Sequence, residues 1–161
     1  MSRIAVLLCL VLIGCGGLDP NEVPAYSGIR GKISYVGGAA AWPADSVYDI
    51  RVVAFETKPV EPAEVLASIV GQTAAFSPES LPKRVDTSSY TVEVLAAPRT
   101  FTYVVVALQN GPDFLTDWVM LDVYAPGGDR TTPGTVRVEK GSIVTIDFTV
   151  DFNNLPPQPF R

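Results

Sequence analysis

The chain has 161 residues, a formal net charge of −5 and no histidine, and its two cysteines, Cys9 and Cys15, both fall near the start. Without histidine the commonest general base and commonest transition-metal ligand are missing, which excludes serine-histidine and cysteine-histidine mechanisms, and beyond residue 15 there can be no disulfide, thiol nucleophile or thiolate metal site. The acidic balance, with no basic cluster denser than Lys83-Arg84, makes nucleic acid and anionic lipid head groups poor partners.

Arg3 supplies one positive charge ahead of Ile4 to Ile13, an apolar run of ten residues, the pattern of a secretory signal. The run is too short to span a bilayer, which takes about 20 apolar residues. Leu12-Ile13-Gly14-Cys15 closes it and resembles the lipobox of bacterial lipoprotein precursors. The resemblance implies diacylglyceryl attachment to the Cys15 thiol, signal cleavage between Gly14 and Cys15, and acylation of the new N-terminus, with the membrane held through lipid alone. Gly16, where an aspartate would mark inner-membrane retention, implies the outer membrane if the host has two. Gly16 to Pro24 reads as a tether, and its nine residues reach about 30 Å if fully extended.

Beyond the tether, period-two alternation dominates, the mark of strands with one wet face. Ile29 to Tyr35 is the first, ended by Gly37-Gly38, and Asp49 to Glu56 the second, apolar on both faces and so expected near the sheet centre. Glu61 to Val70 breaks the pattern: Pro62, the early acids and Val65, Leu66, Ile69 and Val70 at helical spacing predict a short helix. It opens a long insertion running to Pro82. Ser89 to Leu95 and Thr100 to Gln109 are expected to pair as a hairpin, the second being the most apolar segment. Trp118 to Tyr124, Thr135 to Val138 and Ile143 to Phe152 follow, the last with Val144, Ile146, Phe148, Val150 and Phe152 on one face. The expected fold is all-β, a seven-stranded antiparallel β-sandwich with one short helix. The expected organisation is a signal over 1–14, a lipidated tether over 15–26, the sandwich over 27–152 and a proline-rich tail over 153–161.

The order of Gly28-Ile29-Arg30-Gly31-Lys32-Ile33, Asp49 to Phe55, Tyr90-Thr91-Val92, Tyr103 to Val106 and the closing Ile143 to Val150 resembles the carboxypeptidase regulatory-like domains. These are transthyretin-like sandwiches found on bacterial envelope proteins. The resemblance implies a module without an active site of its own that binds, spaces or stabilises another envelope protein.

Candidate sites are few. Trp42 and Tyr48, in the loop before the second strand, are the contact candidates for a polysaccharide, with Trp118 and Tyr124 in a strand where aromatics pack as core. Asp113, Asp117, Asp122 and Asp129 could offer oxygens to calcium, but no EF-hand run occurs, so no metal is expected and the acids read as solvated. Asp147 and Asp151 on one strand face are about 13 Å apart, too far for glycosidase chemistry, and Glu61 and Glu64 suit a helix N-terminus. No catalytic residue and no cofactor is expected.

Overall fold

The computed structural model describes residues 26–160; the signal segment, Gly14 and Cys15 lie outside the described residues. Ten strands and one α-helix follow in the order β1 (Gly28–Tyr35), β2 (Asp49–Phe55), α1 (Pro62–Val70), β3 (Ala74–Phe76), β4 (Thr87–Glu93), β5 (Arg99–Phe101), β6 (Tyr103–Gln109), β7 (Trp118–Val123), β8 (Val136–Val138), β9 (Ile143–Thr145) and β10 (Phe148–Val150). The described residues are all-β apart from α1 and a 3-10 turn at Gly38–Ala41.

In one sheet β1 lies between β4 on one side and β9 and β10 on the other; the second sheet runs β3-β2-β6-β7, and β5 with β8 forms a two-stranded ribbon. Alternation does the packing: Ile29 and Ile33 of β1, Tyr90 and Val92 of β4 and Phe148 and Val150 of β10 share one core with Ile50 and Val52 of β2, Val104 and Val106 of β6 and Leu121 of β7. Each large side chain taken from water there contributes about 1.5–3 kcal/mol.

Four expectations change, the first being the strand count, ten among the described residues in place of seven. Ser89–Leu95 and Thr100–Gln109 do not form a hairpin: β4 pairs with β1, whereas β6 pairs with β2 and β7. Both edges of β6 are taken by β2 and β7, so the connection after β4 carries the chain from one sheet to the other. The pairing is also not wholly antiparallel, because β1 runs parallel to both β9 and β10. Finally, the closing strand is interrupted at Ile146-Asp147, opposite Gly31 and Lys32, with the register held on either side. There the Ile146 N–H donates to Arg30 O at 2.8 Å, the Tyr90 hydroxyl donates to Ile146 O at 2.7 Å, and the Lys32 N–H donates to Asp147 Oδ1 at 2.8 Å. Gly31 permits this: a Cβ at that position would sit 1.7 Å from Ile146 O.

The insertion is more regular than its sequence implied. Proline opens α1, and Glu64 Oε2 accepts the Val60 N–H at 2.7 Å, closing the first turn. After β3 the chain keeps to the edge of β2, with Ser77 N–H on Val52 O at 2.9 Å and Leu81 N–H on Ile50 O at 3.0 Å. The proline-rich segment after β10 also packs on the domain, where Pro156 is buried.

Candidate functional site

Trp42 does not face solvent, as a loop tryptophan between Ala41 and Pro43 was expected to. Gly37 and Gly38, at φ 79° and 63°, turn the chain back in a conformation other residues rarely adopt, and Trp42 swings under β1. It is 6% exposed, its ring centroid lies 4.4 Å from that of Tyr35 and 5.1 Å from that of Phe152, and Nε1–H donates to Val85 O at 2.9 Å. Tyr48 is 52% exposed, and among the described residues no ring contact joins it to Trp42, Trp118 or Tyr124. Trp118 packs edge-on against Phe114 at 6.0 Å and Tyr124 packs against the core. The four aromatics therefore form no common platform.

The acidic side chains are each engaged locally. Asp113 accepts the Leu115 N–H, which with the Thr116 hydroxyl holds its carboxyl below the usual range, and Asp117 Oδ2 accepts the Asp113 N–H at 2.9 Å. Asp129 is lowered by the Thr131 hydroxyl and N–H. Asp122 is buried and its carboxyl is raised by desolvation, although its Oδ2 accepts the Thr149 N–H of β10 at 3.2 Å. Asp147 accepts from Lys32 and Asp151 from the Asn153 N–H. Among the described residues no three acids, cysteines or histidines are grouped as a metal would need.

What the structure does assemble is a groove of about 890 Å³ on the outer face of the β3-β2-β6-β7 sheet. Its size lies within the range of small-ligand pockets, which are mostly apolar with few polar groups. Val53, Val105, Ala107 and Met120 line its floor; α1, through Val65, Leu66 and Ile69, walls one end. That end is the better packed: Val65 and Ile69 join Phe55, Ala74, Tyr103 and Val105 in a second small core. The opposite wall is the loop between β6 and β7, where Phe114 and Leu115 stand 59% and 57% exposed. The sides are Phe76 with Pro78, and Pro159 with Phe160.

Polar groups in the groove are few and mostly committed. Arg51 pairs with Asp49 at 2.7 Å and donates Nη1–H to Ser77 O and Pro78 O, bolting the β3 side in place. Asp49 Oδ1 is left buried with no hydrogen-bond partner, an acceptor that a bound N–H or O–H would satisfy. The Tyr103 hydroxyl donates to Met120 Sδ at 2.9 Å, and burial pushes it up to about 12. Such a surface buries apolar groups and offers one end an acceptor.

The sequence held a sign of this groove in the two-sided apolarity of β2 and β6. Val53, Phe55, Tyr103 and Val105 indicate a covered outer face; α1 covers one end and the rest stays open. No family model matches the chain, and no curated protein and no solved structure matches it either.

Proposed function

We propose that this chain is a lipid-anchored cell-envelope protein whose β-sandwich is a non-catalytic interaction module, gripping another envelope protein through the groove. The observation that carries the reading is an open apolar groove on a rigid sheet, rimmed by exposed Phe114, Leu115 and Leu66. Contiguous exposed apolar surface of this kind marks interaction sites. Anchoring rests on the lipobox-like Leu12 to Cys15. The resemblance to carboxypeptidase regulatory-like domains supports a sandwich over 27–152 that binds rather than catalyses. Gly16 favours the outer membrane in a host with two. Polysaccharide binding keeps only Tyr48 of its two contact candidates.

The test places a photo-crosslinking residue at Leu66 or Leu115, with Thr91 on the outer face of β4 as the control position, in cells carrying native membranes. One envelope protein crosslinked from the two groove positions, absent from Thr91 and lost in the Ala107→Arg chain, supports the reading. Equal crosslinking from Thr91, or none from the groove, overturns it. Palmitate labelling that disappears with Cys15→Ala supports the anchor, and labelling that persists overturns it.

A further inference from the structure

The β7 edge of the groove is closed by a side chain rather than a strand. Met120 N–H donates to Gln158 Oε1 at 2.7 Å, and Gln158 Nε2 donates back to Met120 O at 2.9 Å. The Gln158 amide thus supplies the donor and acceptor that a neighbouring strand residue would supply. Asn110 N–H bonds Asp117 O across the β6–β7 ladder, so the alternation turns Trp118, like Met120, away from β6. Among the described residues, nothing in 153–160 hydrogen-bonds the Trp118 backbone.

The segment holding this edge is poorly equipped to pair as a strand. Pro156, Pro157 and Pro159 surround Gln158 and carry no backbone N–H. Phe160, beside the groove, is still 37% exposed. Exposed sheet edges invite pairing, and proteins usually blunt them with charge or proline. Here β4, the edge of the other sheet, presents exposed Thr87, Ser89, Thr91 and Glu93, whereas β7 borders an apolar groove and is covered by one amide.

Resting on the reading of the groove as a docking site, the geometry points to β7 as a strand-addition edge that residues 156–160 occupy in cis, and to its partner as an extended, proline-free segment with an apolar side chain for the groove. Such a segment makes the Met120 pair of hydrogen bonds with its own backbone, adds those to Trp118, and displaces Gln158. Its alternate side chains enter the groove where Phe160 now lies, the recognition mode in which main-chain bonds give affinity and pockets give specificity.

The experiment uses a chain lacking 156–161 and two labelled peptides: residues 153–161 as they stand, and the same peptide carrying Pro156→Thr, Pro157→Thr and Pro159→Thr. The proline-free peptide is expected to bind the shortened chain saturably, more tightly than the native peptide does. Binding to the full chain is at least about ten-fold weaker, because the cis segment competes at high effective concentration. The Trp118 and Met120 amides become protected from exchange on binding. If shortening unfolds the chain, the full-length Gln158→Ala, Phe160→Ala double variant takes its place. Strand addition is overturned if neither peptide binds a folded variant, if the native peptide binds as well as the proline-free one, or if the Trp118 amide is unchanged. Groove crosslinking that persists beside such a result leaves the docking reading standing without the strand; loss of both removes the groove itself.

Discussion

Trp42→Ala tests whether the indole is a core element or a surface contact. The ring is 6% exposed, wedged between Tyr35 and Phe152, and hydrogen-bonded to Val85 O. Truncating a buried aromatic to alanine costs about 3–5 kcal/mol, and about 1 kcal/mol of it belongs to the indole N–H, whose removal leaves the Val85 carbonyl unpaired. Trp42→Phe keeps most of the packing and loses that bond, so it should cost about 1–2 kcal/mol. Domains of this size have about 5–15 kcal/mol in total, and Trp42→Ala therefore removes a large share. Urea unfolding followed by circular dichroism measures both variants, with an unchanged m-value as evidence that the denatured state is unaltered. A loss under about 1 kcal/mol for Trp42→Ala refutes the packing argument, and would return the residue to the surface as a sugar contact.

Gly31→Ala drives a Cβ into Ile146 O and must displace the carbonyl held by Tyr90; a loss above about 3 kcal/mol in urea unfolding is expected, and it should be strongly non-additive with Tyr90→Phe, which removes the same bond. Burial raises the Asp122 carboxyl above 3.8, so the folded state holds that proton more tightly than the unfolded chain. The group's stabilisation is full below that value and is lost as pH rises through the raised one. Asp122→Asn should consequently match or exceed the parent in stability at neutral pH and lose that advantage on acidification; a gap independent of pH counts against the assignment. Burial also raises Tyr90, and Tyr103 to about 12, so stability should fall from about pH 10 upwards. Tyr103→Phe should soften that alkaline loss in a pH-dependent thermal melt.

The period-two pattern placed the long strands, because a one-residue slip would expose every apolar side chain of β4 or β10, but it missed the three-residue β3, merged β5 into β6 and read β9 and β10 as one strand. The start of α1 was legible from Pro62 and Glu64. Sheet membership was not: Leu95 to Pro98 reads the same whether it turns back in one sheet or crosses to the other, and only the pairing of β6 with both β2 and β7 decides it. Parallel pairing of β1 with β9 and β10 depends on contacts over 110 residues away in sequence, beyond the reach of local pattern. Trp42 was misplaced because loop composition reports on backbone, not on where one large ring goes; the Gly37-Gly38 turn aims it. The groove was half visible, since two-sided apolarity in β2 and β6 signals a cover without saying how much of the face is covered.

Anchor and groove can be placed relative to each other by topology. Gly28, where the tether would enter, pairs with Glu93 at the end of β4. The chain then passes to β5 and to Tyr103, which lies opposite Phe55, the last residue of β2 before α1. Gly28 therefore lies toward the α1 end of the described residues, while Phe114 and Leu115 mark the far end of the groove. On the proposed anchoring, the α1 end is the one joined to the tether and the open wall is the end farthest from it. Seven residues of β2 span about 23 Å, comparable with the tether's reach of about 30 Å. A tether of that reach lets the domain turn, so a partner on the same membrane can meet either end of the groove. The ratio of crosslinks from Leu66 and Leu115 then reports which end of the groove the bound segment occupies.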